Sequence, residues 1–278
     1  MSPRGQQGAW GQQSAQEEQG EQGAWGRHGL PAQGGPSGRP GLEGRRVVVI
    51  GGTSGIGLAV AEGAAREGAA VVVASRRQES VDAALKRLPS GAEGLVLDAT
   101  DESAVRGFFD RIGDFDHLVY TAGESLMLRS LAETDPAEAR RFLDTRLWGA
   151  YMAVKYGAGS IRAGGSVVLT TGTAGQRPLP GSSAASALCG AMESLTRALA
   201  VELAPLRVNV VSPGLVRTEL WRELPEAERQ GLFSSSAEAL PVGRIGEPAE
   251  VAEAYLYLMR GTYSNGSVVV VDGGGVLV

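Results

Sequence analysis

Lysine is almost missing from this chain. Its basic residues are nearly all arginine, and lysine stands only at Lys86 and Lys155. Any chemistry that needs a lysine therefore has a very short list of candidates. Cysteine is scarcer still: Cys189 is alone, so no internal disulfide can form. That usage is compatible with a reducing compartment, and a cytoplasmic location is expected. Histidine occurs only at His28, in a low-complexity stretch, and at His117, just before an apolar strand. Scattered in this way beside one cysteine, the histidines leave no ligand set for a metal. Apolar runs are of strand length and fall short of the roughly 18 residues that span a bilayer. Positive charge is not in excess: the net charge is -5, with no basic patch and no interleaving of aromatic and basic residues. Neither nucleic acid nor a membrane is expected as a partner.

Glycine is abundant, and unevenly so. Residues 1–43 are rich in Gly, Gln, Pro and Ser and repeat the pentapeptide QGAWG at Gln7–Gly11 and Gln22–Gly26. Such a segment buries too little apolar area to offset its ordering entropy and is expected to be a disordered tail. It carries acidic residues and no apolar h-region, so it reads as neither a transit peptide nor a secretory signal.

From residue 44 to 278 the pattern is that of one domain. Short Val- and Leu-rich runs bounded by glycine recur: RRVVVIGG, AVVVASRR, Gly94–Asp98, Asp116–Gly123, Gly165–Gly172, Arg207–Gly214 and Ser267–Gly274. Helical stretches separate them, among them Glu79–Leu88, Glu102–Arg111, Pro136–Tyr156, Ala184–Leu203 and Pro248–Met259. Continuous apolar strands alternating with helices predict βαβ units and a parallel sheet buried on both faces. The expected fold class is α/β, a single doubly wound parallel sheet of about seven strands, Rossmann-like, with helices on both faces.

The motif GGTSGIG, Gly51–Gly57, follows the first strand and opens a helix. In that context glycines let the backbone approach a pyrophosphate, and the helix N-terminus offers free N–H groups. Thr53 and Ser54 add hydroxyl donors beside Gly55, Ile56 and Gly57. The spacing is G-x-x-x-G-x-G. With LDATDE, TAG, SPGLVRT, PVGRIGEPAEVA and NG…VDGG in order behind it, the chain from Leu42 onward resembles the short-chain dehydrogenase/reductase family. That resemblance implies a nicotinamide cofactor. It implies Asp98 near the adenine, Ala122 and Gly123 in the turn after the fourth strand, and Pro213, Gly214 and Thr218 near the carboxamide. Thr121 replaces the family's Asn, and Ile50 its opening Thr. The second strand ends in Ser75-Arg76-Arg77 with no carboxylate to accept from a ribose 2′-hydroxyl. Guanidinium suits a 2′-phosphate, so NADP(H) is expected over NAD(H).

The family carries its proton chemistry on Asn, Ser, Tyr and Lys. Counting back from Glu202 along the Ala184–Leu203 helix places the Lys position at Cys189 and the Tyr position at Ala185. Counting forward from TTGTAG places the Ser position at Gly172 and again arrives at Ala185. TRLWG puts the Asn position at Arg146. The stretch GAYMAVKYG does hold Tyr151 and Lys155 four apart, but on the Arg146 helix, before the fifth strand. Tyr151 lies about 500° of turn and ~7.5 Å of rise from Arg146 and so points about 140° away from it. The pair is not expected to be catalytic.

An atypical enzyme follows. Arg146 is too weak an acid to give a proton but holds anions well. Thr171, Thr173, Ser182, Ser183 and Ser186 surround the vacated Tyr position and offer a relay through water. Cys189 is a reactive thiol if Arg146 depresses its pKa, and otherwise a small buried apolar residue. The expected activity is an NADP(H)-dependent oxidoreductase on a small carbonyl, enone, quinone or imine-type molecule. The alternatives are a non-redox isomerase, dehydratase or cyclase on the same fold, or a silent NADP(H)-binding partner of an active homologue. Residues 219–240 correspond to the substrate lid, where Trp221, Leu224, Leu232 and Phe233 suggest a bulky apolar substrate. By resemblance, the chain assembles as a homodimer or homotetramer.

Overall fold

The Val-rich runs become one parallel sheet. The computed structural model describes residues 41–123 and 127–278. The expected tail lies outside the described residues but for 41–43. The strands are β1 Arg46–Ile50, β2 Ala70–Ser75, β3 Glu93–Val96, β4 Phe115–Tyr120, β5 Ile161–Thr170, β6 Arg207–Pro213 and β7 Val268–Val271. They lie in the order β3-β2-β1-β4-β5-β6-β7, and every pairing is parallel.

Period-two alternation divides the strand side chains between two cores. Val47 and Val49 of β1 pack with helices α1 Gly55–Arg66 and α8 Pro248–Arg260, whereas Val48 and Ile50 face the opposite core. That second core receives α3 Glu102–Ile112, α5 Gly149–Gly157 and α6 Ser183–Glu202. Helix α2, Gln78–Leu85, links β2 to β3. The strand order reverses between β1 and β4, which opens a crevice at the carboxyl ends of the strands.

Two stretches differ from expectation. Pro136–Tyr156 is not a uniform α-helix. Helix α4, Pro136–Leu143, passes through a π turn at Asp144–Trp148 before α5 begins. There the Gly149 N–H reaches the Asp144 carbonyl, five residues back, so the turn is one residue wider than an α-helical one. The segment expected as a lid, too, holds elements that do not show in its sequence: a 3₁₀ turn at Glu219–Trp221 leads into α7, Glu226–Ala239.

Candidate active site

The turn between β1 and α1 is built by close backbone approach. Gly51 has φ +88°, and a Cβ there would stand 2.5 Å from the Ala122 nitrogen, so glycine alone allows the two turns to touch. Ser54 precedes α1 in extended conformation and its hydroxyl does not cap the helix. The first-turn N–H groups are thus left to a ligand. Thr218 lies over this turn, with its side chain 3.3 Å from where a Gly55 Cβ would be.

One cavity of about 740 Å³ collects these groups. Gly51, Thr53, Ser54, Gly55, Ile56 and Gly57 line it, as do Ser75, Arg76, Asp98, Ala122, Gly123, Pro213, Gly214 and Thr218. Every residue expected to touch the cofactor therefore faces one space. Asp98 sits just beyond β3, where its Oδ1 accepts from the Thr100 hydroxyl at 2.7 Å and the Thr100 N–H at 2.9 Å. Those bonds, helped by the Arg76 charge, hold its carboxyl below the usual range, so it is an acceptor at neutral pH.

The four positions reached by counting meet in the same cavity: Arg146, Gly172, Ala185 and Cys189 all line it. Arg146 comes from the π turn. Its guanidinium lies over the Phe142 ring, 5.1 Å from the centroid, and against Gly123, whose missing Cβ leaves the room. Gly172 faces Cys189, the thiol 3.4 Å from where a Cβ would be. Ala185 and Cys189 are buried on α6. Burial raises the Cys189 thiol pKa, against smaller opposing effects of Thr171, Gly175 and the Arg146 charge. Cys189 is thus the small buried apolar residue of the two alternatives, not a reactive thiolate.

The hydroxyls behave unequally. Thr171 lines the cavity and donates to the Cys189 carbonyl at 3.2 Å. Ser182 also lines it, but is tied into its own turn: it accepts from the Leu179 N–H at 2.9 Å and donates to the Leu179 carbonyl at 2.6 Å. Ser186 meets Ser182 at 3.2 Å. Ser183 corrects the expectation. It is exposed and does not line the cavity, because one helical residue turns it about 100° from Ser182. Thr173 lines the cavity, and its hydroxyl is not bonded among the described residues.

Tyr120 was not singled out by sequence, yet it lines this cavity too. It ends β4, and an aromatic at the carboxyl end of a parallel strand is the one signal that pointed to it. Its hydroxyl donates to the Thr145 carbonyl. Burial drives its pKa upward, against the smaller pull of the Arg146 charge. It is no substitute for the missing acid.

Tyr151 and Lys155 stand elsewhere. Tyr151 is exposed and packs edge-on to the exposed Trp148, with centroids 6.0 Å apart. Lys155 pairs with Glu102 at 3.5 Å. Neither lines the cavity. In the lid, Trp221 and Phe233 pack on one another and on Ile245 as a small core, and the Trp221 indole N–H donates to the Val216 carbonyl at 3.0 Å. Trp221 and Leu232 line the cavity, whereas Leu224 and Phe233 do not, which narrows the apolar surface expected to meet a substrate.

Among the described residues, no cluster of His, Cys, Asp or Glu is arranged to hold a metal ion. None of their helices is long and apolar enough to cross a membrane.

Comparison with known proteins assigns the family. The family described as Enoyl-(Acyl carrier protein) reductase matches residues 51–275, most of the chain. The chain belongs to the short-chain dehydrogenase/reductase family. A member from Acremonium sp., the short-chain dehydrogenase/reductase ucsE, is 35% identical over 255 residues, covering 85% of this chain and 97% of that protein. The crystal structure of a small-chain dehydrogenase in complex with NADPH superposes with a TM-score of 0.75 at 34% identity, covering 84% of this chain and 99% of the other. An NADPH-bound short chain oxidoreductase from Pseudomonas aeruginosa PAO1, described as containing an atypical catalytic center, superposes with a TM-score of 0.77 at 32% identity, covering 83% and 96%. This short-chain dehydrogenase/reductase is thus an oxidoreductase-family protein on a seven-stranded parallel sheet.

Proposed function

We propose that the protein is an atypical NADP(H)-dependent oxidoreductase acting on a small carbonyl, enone, quinone or imine-type molecule. The observation that carries this reading is the single cavity in which the glycine turn meets Arg146, Gly172, Ala185 and Cys189. A pyrophosphate fits the uncapped α1 N-terminus and the Gly51–Ala122 contact, and Thr53 and Ser54 flank it. Asp98 suits an adenine amine. Ser75 and Arg76, with no carboxylate at the end of β2, suit a 2′-phosphate, so NADP(H) is preferred to NAD(H).

The bound cofactor supplies or accepts a hydride. This chain's residues bind, orient and hold charge around that transfer. Arg146 holds developing negative charge on the substrate oxygen, or a substrate carboxylate, without itself giving a proton. Among the described residues lining the cavity there is no lysine or histidine, and the one tyrosine has its hydroxyl committed to Thr145. In this reading the proton comes through water. Thr173 is best placed to hold that water; Thr171 can contribute its lone pairs, while Ser182 is engaged in its turn. Ser183 takes no part. Such a site suits substrates whose reduced form is stabilised by delocalisation or that need no strong acid, as quinones, enones and iminium ions do. It suits simple ketones poorly, since a positioned general acid is worth about 10²–10⁴-fold.

The assembly expected is a cytoplasmic homodimer or homotetramer, and the exposed Trp148–Tyr151 pair offers an apolar surface for association. The test is titration of the protein with NADPH and NADH by nicotinamide fluorescence, followed by turnover of 9,10-phenanthrenequinone and of a simple ketone. NADPH binding tighter than NADH, with quinone turnover well above ketone turnover, supports the reading. Binding of neither nucleotide overturns it and leaves a non-redox enzyme or a silent partner.

A further inference from the structure

We propose that Tyr120 is a positioning residue that holds open the π turn carrying Arg146, an inference that rests on the charge-holding role proposed for Arg146. In an α-helix the Gly149 N–H would bond to the Thr145 carbonyl, four residues back. Here it bonds to the Asp144 carbonyl, and the Thr145 carbonyl accepts the Tyr120 hydroxyl. Tyr120 is 1% exposed at the end of β4, so its hydroxyl has no solvent to turn to. The contact is cut into both partners. Gly149 has no Cβ, and one placed there would overlap the Tyr120 oxygen. A buried hydroxyl without an acceptor is costly. Closing the turn would hand the Thr145 carbonyl to Gly149 and leave that hydroxyl alone.

Arg146 follows Thr145 directly, so the state of this turn sets its direction. Removing the extra residue of a wide turn rotates one side of the helix against the other by about 100°. The α5 side cannot take that rotation, because Ala150, Ala153 and Val154 are packed into the core at 1% exposure or less. The α4 side buries only Phe142 and is the freer of the two. Arg146 would therefore swing, losing both its place against Gly123 and its seat on the Phe142 ring. The Tyr120 hydroxyl thus acts at a distance from the reacting atoms, through the direction of one guanidinium.

The test combines crystal structures of the wild type, Tyr120→Phe and Gly149→Ala with kinetics on NADPH and 9,10-phenanthrenequinone. Tyr120→Phe keeps the ring and removes the hydroxyl; Gly149→Ala keeps the hydroxyl and obstructs it. In both, the turn is expected to close into α-helical pairing and the guanidinium to leave Gly123. Turnover is expected to fall roughly 10- to 100-fold, the scale of a displaced catalytic contact. In an Arg146→Gln background, Tyr120→Phe should cost nothing further. Arg146 in its original place in both variants overturns the proposal, as does an equal loss in the Arg146→Gln background. Full turnover in Arg146→Gln alone instead overturns the role of Arg146, and the positioning role falls with it.

Discussion

Arg146 and Gly123 meet so closely that residue 123 has no space for a side chain: a Cβ there would stand 2.5 Å from the guanidinium carbon. The contact presses the Arg146 charge onto the turn after β4, in a cavity that Arg177 and Arg222 also line. Replacing Arg146 by Gln removes the charge while keeping a polar side chain. We expect kcat/KM for a quinone to fall by ~10²–10³-fold, the range for loss of an oxyanion donor. Arg146→Lys should recover only part, because an ammonium cannot reproduce the planar fork. NADPH affinity should change little in either. Unchanged turnover in Arg146→Gln would remove Arg146 from the chemistry.

The vacated Tyr and Lys positions make a reciprocal prediction. Ala185 and Cys189 lie four apart on α6 and both line the cavity. Gly172 faces Cys189 with room for a small side chain. Installing Gly172→Ser, Ala185→Tyr and Cys189→Lys together returns a hydroxyl, an acid and a charge that lowers its pKa. Simple ketone reduction should rise by about 10² or more, the worth of a positioned general acid. A folded triple variant that binds NADPH and gains no ketone activity would mean that the cavity does not present these positions to a substrate.

Much of this site was legible in sequence because its landmarks are backbone ones. Gly51–Gly57 shows as a glycine spacing set between a strand and a helix, and the strands announce themselves as Val-rich runs. Counting along α6 keeps its register because that helix runs unbroken from Ser183 to Glu202. What escaped was set by single-residue rotation or tertiary contact. The π turn adds one residue to a helix of ordinary composition, and its stabilising bond comes from Tyr120, in another element. Ser183 differs from Ser182 by one step around the helix, enough to move it from the cavity to solvent. Trp221 and Phe233 look substrate-facing in sequence because apolar residues on a lid do not reveal whether they pack on a ligand or on each other.

The Tyr151–Lys155 spacing offers a control. Both side chains are exposed, on the face away from the cavity. Tyr151→Phe and Lys155→Ala are therefore expected to keep turnover within about 2-fold, since surface changes of this kind usually stay within ±0.5 kcal/mol. A loss near that of Arg146→Gln in either variant would place the pair in the chemistry and invalidate the count along α6.

Cofactor preference has its own handle in Arg76, which lines the cavity at the end of β2. Charge-assisted bonds to a phosphate contribute roughly 1.5–3 kcal/mol, less where solvent screens them. Arg76→Gln should therefore weaken NADPH by about 10-fold and NADH by less than about 2-fold, as read by isothermal titration. Equal weakening of both nucleotides would assign Arg76 to folding and leave the 2′-phosphate without a partner there.

A last prediction comes from the opposite end of the sheet. His117 is buried on β4 with its Nδ1 2.9 Å from the Ser166 hydroxyl, beside Asp116 and between the charges of Arg207 and Arg45. Burial, reinforced by Arg207 and Arg45 against Asp116, drives its pKa down to about 4. The folded state therefore holds the ring neutral at pH values where the unfolded chain, titrating near 6.5, already binds a proton. Between these values the unfolded state carries more protons, so stability falls as pH falls from 6.5 toward about 4. The difference amounts to roughly 3 kcal/mol, or about 6–12 °C in Tm for a domain of this size. Carboxylates such as Asp116, whose pKa is held down by Arg46, Arg45 and Arg162 in spite of burial, act mainly below that window. Tm of the wild type and of His117→Gln should therefore diverge in slope between pH 6.5 and 4.5 and run parallel above pH 7. Equal slopes in that window would mean that His117 gains its proton without cost, and that the β4–β5 contact with Ser166 accepts a charged ring.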